Sequence, residues 1–133
     1  MIPAPVLHVL ATMALLCGLT MEPVKPWEPD PADVALISRT IWGEARGCEP
    51  EEQEAVAWCI LNRVDDERFP NTVESVVTQP WQFQGYALGN PAEPFADVAE
   101  DVLRRWHNGE HGIDPALVFF EGDGKHNYFR SKW

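Results

Sequence analysis

Apolar residues recur three and four positions apart in two long stretches of this chain, and in a third they crowd every side of a helix. Val34, Ile37, Ile41 and Ala45 share one face and predict a helix from about Pro31 to Ala45. Asp30 can cap it, Pro31 suits its first position, Asp33 lies in its first turn, and Gly47 is placed to end it. From Pro50 to about Val64 a second helix is expected, with Glu51, Glu52 and Glu54 at its positive end. Its run Ala55 to Leu61 is apolar all round, the mark of a buried central helix. Arg63, beside Asn62, suits the negative pole at the far end. Asn71 can cap a short helix from Thr72 to Gln79, with Val73, Val76 and Val77 inward, before Pro80 stops it. Phe95, Val98, Ala99, Val102, Leu103 and Trp106 predict an amphipathic helix from about Pro94 to Asn108, ended by Gly109. Trp58 and Trp106 fall inside apolar patterns and are expected in the core. Ala116 to Phe120 reads as a strand, with Asn127 to Phe129 its partner across Gly122-Asp123-Gly124. The fold class expected is mainly α with a small β hairpin (α+β).

Before this lies a different kind of sequence. Residues 1–20 are apolar apart from His8 and two threonines and hold no Asp, Glu, Lys or Arg, and Met21 to Pro31 holds four prolines, so it reads as a linker. The apolar leader has the length of a secretory h-region or of a short membrane span, although the usual preceding positive charge is missing. A helix packed on the domain is the alternative. The division expected is therefore leader 1–20, linker 21–31 and a single domain from 32 to 133, exported or held at the cell envelope.

Composition narrows the partners. A net charge of -11 and a pI near 4.6, with ten Lys and Arg scattered along 133 residues, argue against nucleic acid. Cys48 and Cys59 would stand about 16 Å apart along one helix, too far for a disulfide, and are expected as free thiols. A metal centre built from His107, His111, His126 and Asp123 fails because Gly109 and Gly112 interrupt the helix that would align the first two histidines. Neither metal nor cofactor is expected, and the protein is expected to be a monomer.

Chemistry gathers at Glu44. It borders the apolar stripe of the first helix and falls in the last turn, where desolvation and the negative helix end both favour a protonated carboxyl. Such a group can donate a proton near neutral pH. The segment Trp81 to Pro94 is rich in Gly, Pro, Asn and Gln and carries Trp81, Phe83 and Tyr86, a content suited to stacking on sugar rings and hydrogen-bonding their substituents.

The run Ile41-Trp42-Gly43-Glu44-Ala45-Arg46-Gly47, then Gln53, Ala55-Val56-Ala57 and Ile60-Leu61-Asn62-Arg63-Val64, resembles the opening of the SleB-type cell-wall hydrolases, the spore-cortex-lytic family. The likeness continues through Phe69-Pro70-Asn71-Thr72, Gln79-Pro80, Gln82-Phe83 and the Gly124 to Phe129 ending. It implies a lysozyme-like domain that cuts peptidoglycan between N-acetylmuramic acid and N-acetylglucosamine as a lytic transglycosylase. By position it makes Glu44 the catalytic acid, then base, with Gln82, Phe83, Tyr128, Trp81 and His126 as candidates for holding the sugar. The implied partner is the peptidoglycan glycan strand, in a bacterium or delivered by a phage.

One position departs from that family. Many members carry a second glutamate directly after Arg-Gly, where this chain has Cys48, followed by Glu49. Either the site is weakened, or Glu49 substitutes after a one-residue shift. A catalytically silent peptidoglycan-binding or scaffold protein on the same fold is the competing expectation.

Overall fold

A computed structural model describes residues 22–80, 82, 83 and 89–132. The leader, Trp81 and Tyr86 lie outside the described residues. The elements run in chain order as helices α1 (Pro31–Ala45), α2 (Pro50–Asp65), α3 (Val73–Val77) and α4 (Ala96–His107), followed by strands β1 (Phe119–Gly122) and β2 (Asn127–Arg130).

α2 is the centre, and α1, α3 and α4 all pack on it and α1 packs on the other two. Its residues from Ala55 to Arg63 are all buried, as expected of a helix without a polar side. Ile37 and Ile41 of α1, Val76 and Val77 of α3, and Val102 and Leu103 of α4 close the core around Trp58, Ile60 and Leu61. Gly112 lies flat against the Trp58 indole, where a Cβ would come within 2.0 Å of Nε1. Only the absence of a side chain lets the chain cross there.

The short elements show where local signals compete. Thr72, not Asn71, caps α3, its hydroxyl accepting from the Ser75 N–H at 3.1 Å, and the helix stops at Val77. Thr78 ends it by turning its hydroxyl back onto the Glu74 carbonyl at 2.7 Å. The expected strand at Ala116 begins only at Phe119. Residues 114–117 are instead drawn into a turn, with the Asn62 amide donating to the carbonyls of Asp114 and Leu117, both at 3.0 Å. Trp106 is a margin residue rather than a core one: half-buried, it donates its indole N–H to Asp65 at 2.8 Å. Gly109 closes α4 at φ 83°, the left-handed conformation that ends many helices.

β1 and β2 pair antiparallel, Phe120 opposite Phe129 and Gly122 opposite Asn127. Phe120 packs on Phe129 and on Phe83, which joins the hairpin to the core. Residues 22–30 form no helix or strand, yet Trp27 to Pro29 lie against the domain. Trp27 stacks on His107 at 3.9 Å between ring centroids, and Glu28 pairs with Arg104 at 2.6 Å.

Candidate active site

The end of α1 and the tip of the β hairpin face each other across a groove of about 680 Å³. Residues 43–48 form one wall, and Gly122 with residues 124–127 forms the other. Glu44 lines it in the last turn of α1 and is half-buried, as its place on the border of the apolar stripe requires. Arg46 is turned back along its own helix, its guanidinium 5.5 Å over the Trp42 ring and donating to the Trp42 carbonyl at 3.2 Å.

Gly47 does not end α1 by a left-handed turn. Gln53, in the second turn of α2, does the work with its side-chain amide. That group donates to the carbonyls of Ala45 at 3.2 Å, Arg46 at 3.4 Å and Cys48 at 3.1 Å. The first two are among the carbonyls a helix end leaves without intrahelical partners, so Gln53 helps close the helix and fixes the backbone that carries Glu44.

The neighbouring residue holds the opposite wall. Glu52 accepts the Nδ1–H of His126 at 2.6 Å on one carboxylate oxygen and the backbone N–H of Asn127 at 2.9 Å on the other. These bonds, that from Asn127 first, hold its carboxyl below the usual range. Hydrogen bonding and the charge of Glu52 push His126 upward. Asn127 then reaches across the groove and donates its amide to the Glu44 carbonyl at 3.1 Å. Asp123 folds the tip, accepting the N–H groups of Lys125 and His126, both at 2.8 Å, and the Tyr128 hydroxyl at 3.0 Å.

Cys48 sits between these groups, its thiol 3.4 Å from the Lys125 carbonyl and hydrogen-bonded to Glu52. Burial, then the Glu52 bond, pushes that thiol up, so it is a weak nucleophile. The carboxylate that reaches Cys48 is that of Glu52. Glu49 is exposed at the helix entrance, where it caps α2 through its backbone.

The other sequence candidates scatter. His126 lines the groove with Glu44. Tyr128 is 51% exposed on the hairpin, tied to Asp123. Phe83 is 6% exposed and belongs to the core. Gln82 is exposed, and its amide oxygen accepts from Arg63 at 3.1 Å. Arg63 itself is no helix-end surface charge: at 2% exposure it donates to the Val118 carbonyl at 2.6 Å and lies over the rings of Phe69, Phe83 and Phe119. Glu52, Gln53 and Asn127 were not foreseen as site residues. In sequence Glu52 is one of several acids at a helix start, and nothing local ties it to a hairpin 74 residues away. No group of three or more metal-binding side chains occurs among the described residues.

Residues 47–133 match the model of the family described as Cell Wall Hydrolase. The chain belongs to the cell wall hydrolase family. That match begins three residues beyond Glu44. Among curated relatives, the spore cortex-lytic enzyme of Bacillus subtilis is 35% identical over 95 residues, 68% of this chain and 30% of the relative. The spore cortex-lytic enzyme of Oceanobacillus iheyensis is 39% identical over 95 residues, 68% of this chain and 33% of the relative. The cell wall hydrolase chain thus spans about a third of the length of these relatives. Among solved structures, the catalytic domain of the germination-specific lytic transglycosylase SleB from Bacillus anthracis superposes with a TM-score of 0.58 at 29% identity, covering 74% of this chain and 80% of that one. The mainly helical, lysozyme-like fold with its small two-stranded sheet agrees with the expectation from sequence.

Proposed function

We propose that this cell wall hydrolase domain cleaves peptidoglycan as a lytic transglycosylase, between N-acetylmuramic acid and N-acetylglucosamine, with Glu44 as acid and then base. The carrying observation is the half-buried Glu44 at a helix end, lining a groove of about 680 Å³. The Glu44 carboxyl protonates the glycosidic oxygen. As a carboxylate it then takes the proton from the primary hydroxyl of the muramic sugar, whose oxygen closes a 1,6-anhydro ring. The acetamido group assists from within the substrate, so no protein nucleophile is needed.

His126, which lines the groove with Glu44, is the first candidate for positioning the sugar. Gln82, with its amide oxygen held by Arg63, offers its amide N–H to another ring of the strand, and Phe83 backs the Arg63 that holds it. Tyr128 and Trp81 are proposed as stacking faces. Peptidoglycan as substrate places the protein outside the cytoplasm or at the envelope, with residues 1–20 as the means of export or tethering. No helix among the described residues is long and apolar enough to cross a membrane.

Digestion of purified peptidoglycan by wild type and Glu44→Gln, with products read by mass spectrometry, tests the reading. Muropeptides ending in anhydro sugars from wild type, reduced at least about a hundredfold in the variant, are expected for loss of a general acid. Products one water heavier would mean a hydrolase. Equal release by both proteins would remove Glu44 from the mechanism, and binding without release by either would identify a silent scaffold.

A further inference from the structure

The hairpin wall of the groove is the less secured of the two. Each strand has four residues, and a two-stranded hairpin of that size is marginal unless something holds it. Its base is held by Phe120 and Phe129 in the aromatic cluster and by Arg63 at the Val118 carbonyl. Its tip, residues 122–126, is exposed throughout. There the link to α2 passes through Glu52, which uses both carboxylate oxygens on two consecutive residues, one bond to a ring and one to the main chain. Two bonds to neighbouring residues fix the direction of the turn as well as its distance. The same Asn127 whose N–H donates one of them also donates its side-chain amide to the Glu44 carbonyl.

We propose that Glu52 and His126 form a charged clamp that positions the hairpin wall against the Glu44-bearing end of α1 and so sets the width of the groove. Both are positioning residues. Their effect on cleavage rests on the function proposed above, whereas their hold on the hairpin does not.

The clamp depends on pH, and the charges around it set the window. Glu52 from α2, Asp123 from the turn and Glu49 from the helix entrance all favour a protonated His126. Lys125 is adjacent in the chain and Arg46 lines the same groove, and both act against it in sign. His126 is raised from 6.5, so the clamp is complete below that value and is lost as pH rises through the raised one. Glu52 is lowered from 4.5, so on the acid side the clamp is lost only as pH falls through that lowered value. The groove is held best in mildly acid solution and loosens on the alkaline side.

Hydrogen exchange of the full chain, read by mass spectrometry on peptides spanning residues 119–130, compares wild type, Glu52→Gln, His126→Gln and the double variant across pH 5.5 to 9, as protection relative to intrinsic rates. Glu52→Gln keeps an acceptor for the Asn127 N–H and removes the charge. Each single variant is expected to lose about three- to fivefold in tip protection at pH 5.5, the scale of a part-exposed pair. The double variant should lose no more than either, because the two act as one unit. Wild-type protection should fall toward pH 9, while that of His126→Gln stays level. In peptidoglycan cleavage by the same proteins, KM should rise in the variants with a smaller change in kcat. Equal tip protection in all four proteins, or a fall toward pH 9 in His126→Gln as steep as in wild type, overturns the clamp and leaves the cleavage reading standing. A wild type that cuts no peptidoglycan defeats the cleavage reading, and the exchange profile still decides the clamp.

Discussion

The two ends of α2 are polar in sequence and opposite in character. At the carboxyl end Asn62 and Arg63 are buried, and their donors go to backbone carbonyls of the segment entering the hairpin and to Gln82. At the amino end Glu52 and Gln53 are only half-buried, and their partners are the two walls of the groove. A buried polar group that loses its partner pays the full desolvation cost, while a part-exposed one turns to water instead. The same kind of hydrogen bond therefore secures the fold at one end of the helix and shapes the groove at the other.

Breaking the buried end should have the largest effect. Arg63→Ala is expected to destabilise the domain by about 3 to 5 kcal/mol, from a cavity beneath three aromatic rings plus stranded acceptors at Val118 and Gln82. Urea unfolding followed by tryptophan fluorescence measures it. Arg63→Lys should recover less than half, since an ammonium cannot serve both acceptors while lying flat against the rings. A loss below about 1 kcal/mol for Arg63→Ala would mean that this end is no more critical than the other.

Gln53→Ala should show the reverse balance. Its bonds are part-exposed, so a stability loss of about 1 kcal/mol is expected, again by urea unfolding. Cleavage of peptidoglycan, followed as loss of turbidity, should fall about tenfold, because the carbonyls that anchor the Glu44 backbone are released and small misplacements at a reacting centre are costly. Equal proportional losses of stability and activity would erase the distinction between the two ends.

The smallest effect sharpens the same contrast at the level of thiols. Cys59, the fifth residue of the buried run, is pushed up to about 12, chiefly by burial, and Cys48 is raised to a lesser degree beside the groove. Iodoacetamide at pH 8 should modify Cys48 slowly and leave Cys59 untouched until urea unfolds the chain, as peptide mapping would reveal. Modification of Cys59 in the native protein would show that the core opens more readily than its packing implies.

Much of this molecule is written in short-range pattern. Asp30, Pro31 and the stripe Val34, Ile37, Ile41, Ala45 determine α1 to the residue, and Pro50 with the all-apolar run determines α2. The border position of Glu44 was equally legible, because a helix of known start and period leaves little choice of face. Where local signals compete, tertiary contacts decided. Thr72 displaced Asn71 as the cap of α3, Asn62 and Arg63 drew residues 114–118 away from the strand, and Trp106 settled at the margin with Asp65 as its partner.

The groove shows the same division more sharply. Sequence alone placed an acid at a helix end and a turn near the chain's last residues. Only the fold brought them together and chose Glu52 rather than Glu49 to meet Cys48, Gln53 rather than Gly47 to close α1, and Arg63 as a buried tie instead of a surface charge. Periodicity along a helix is set by neighbours a few residues away and can be read from them. Which polar side chain finds a partner 50 or 80 residues distant depends on how the apolar faces stack, and that is settled only when the core closes.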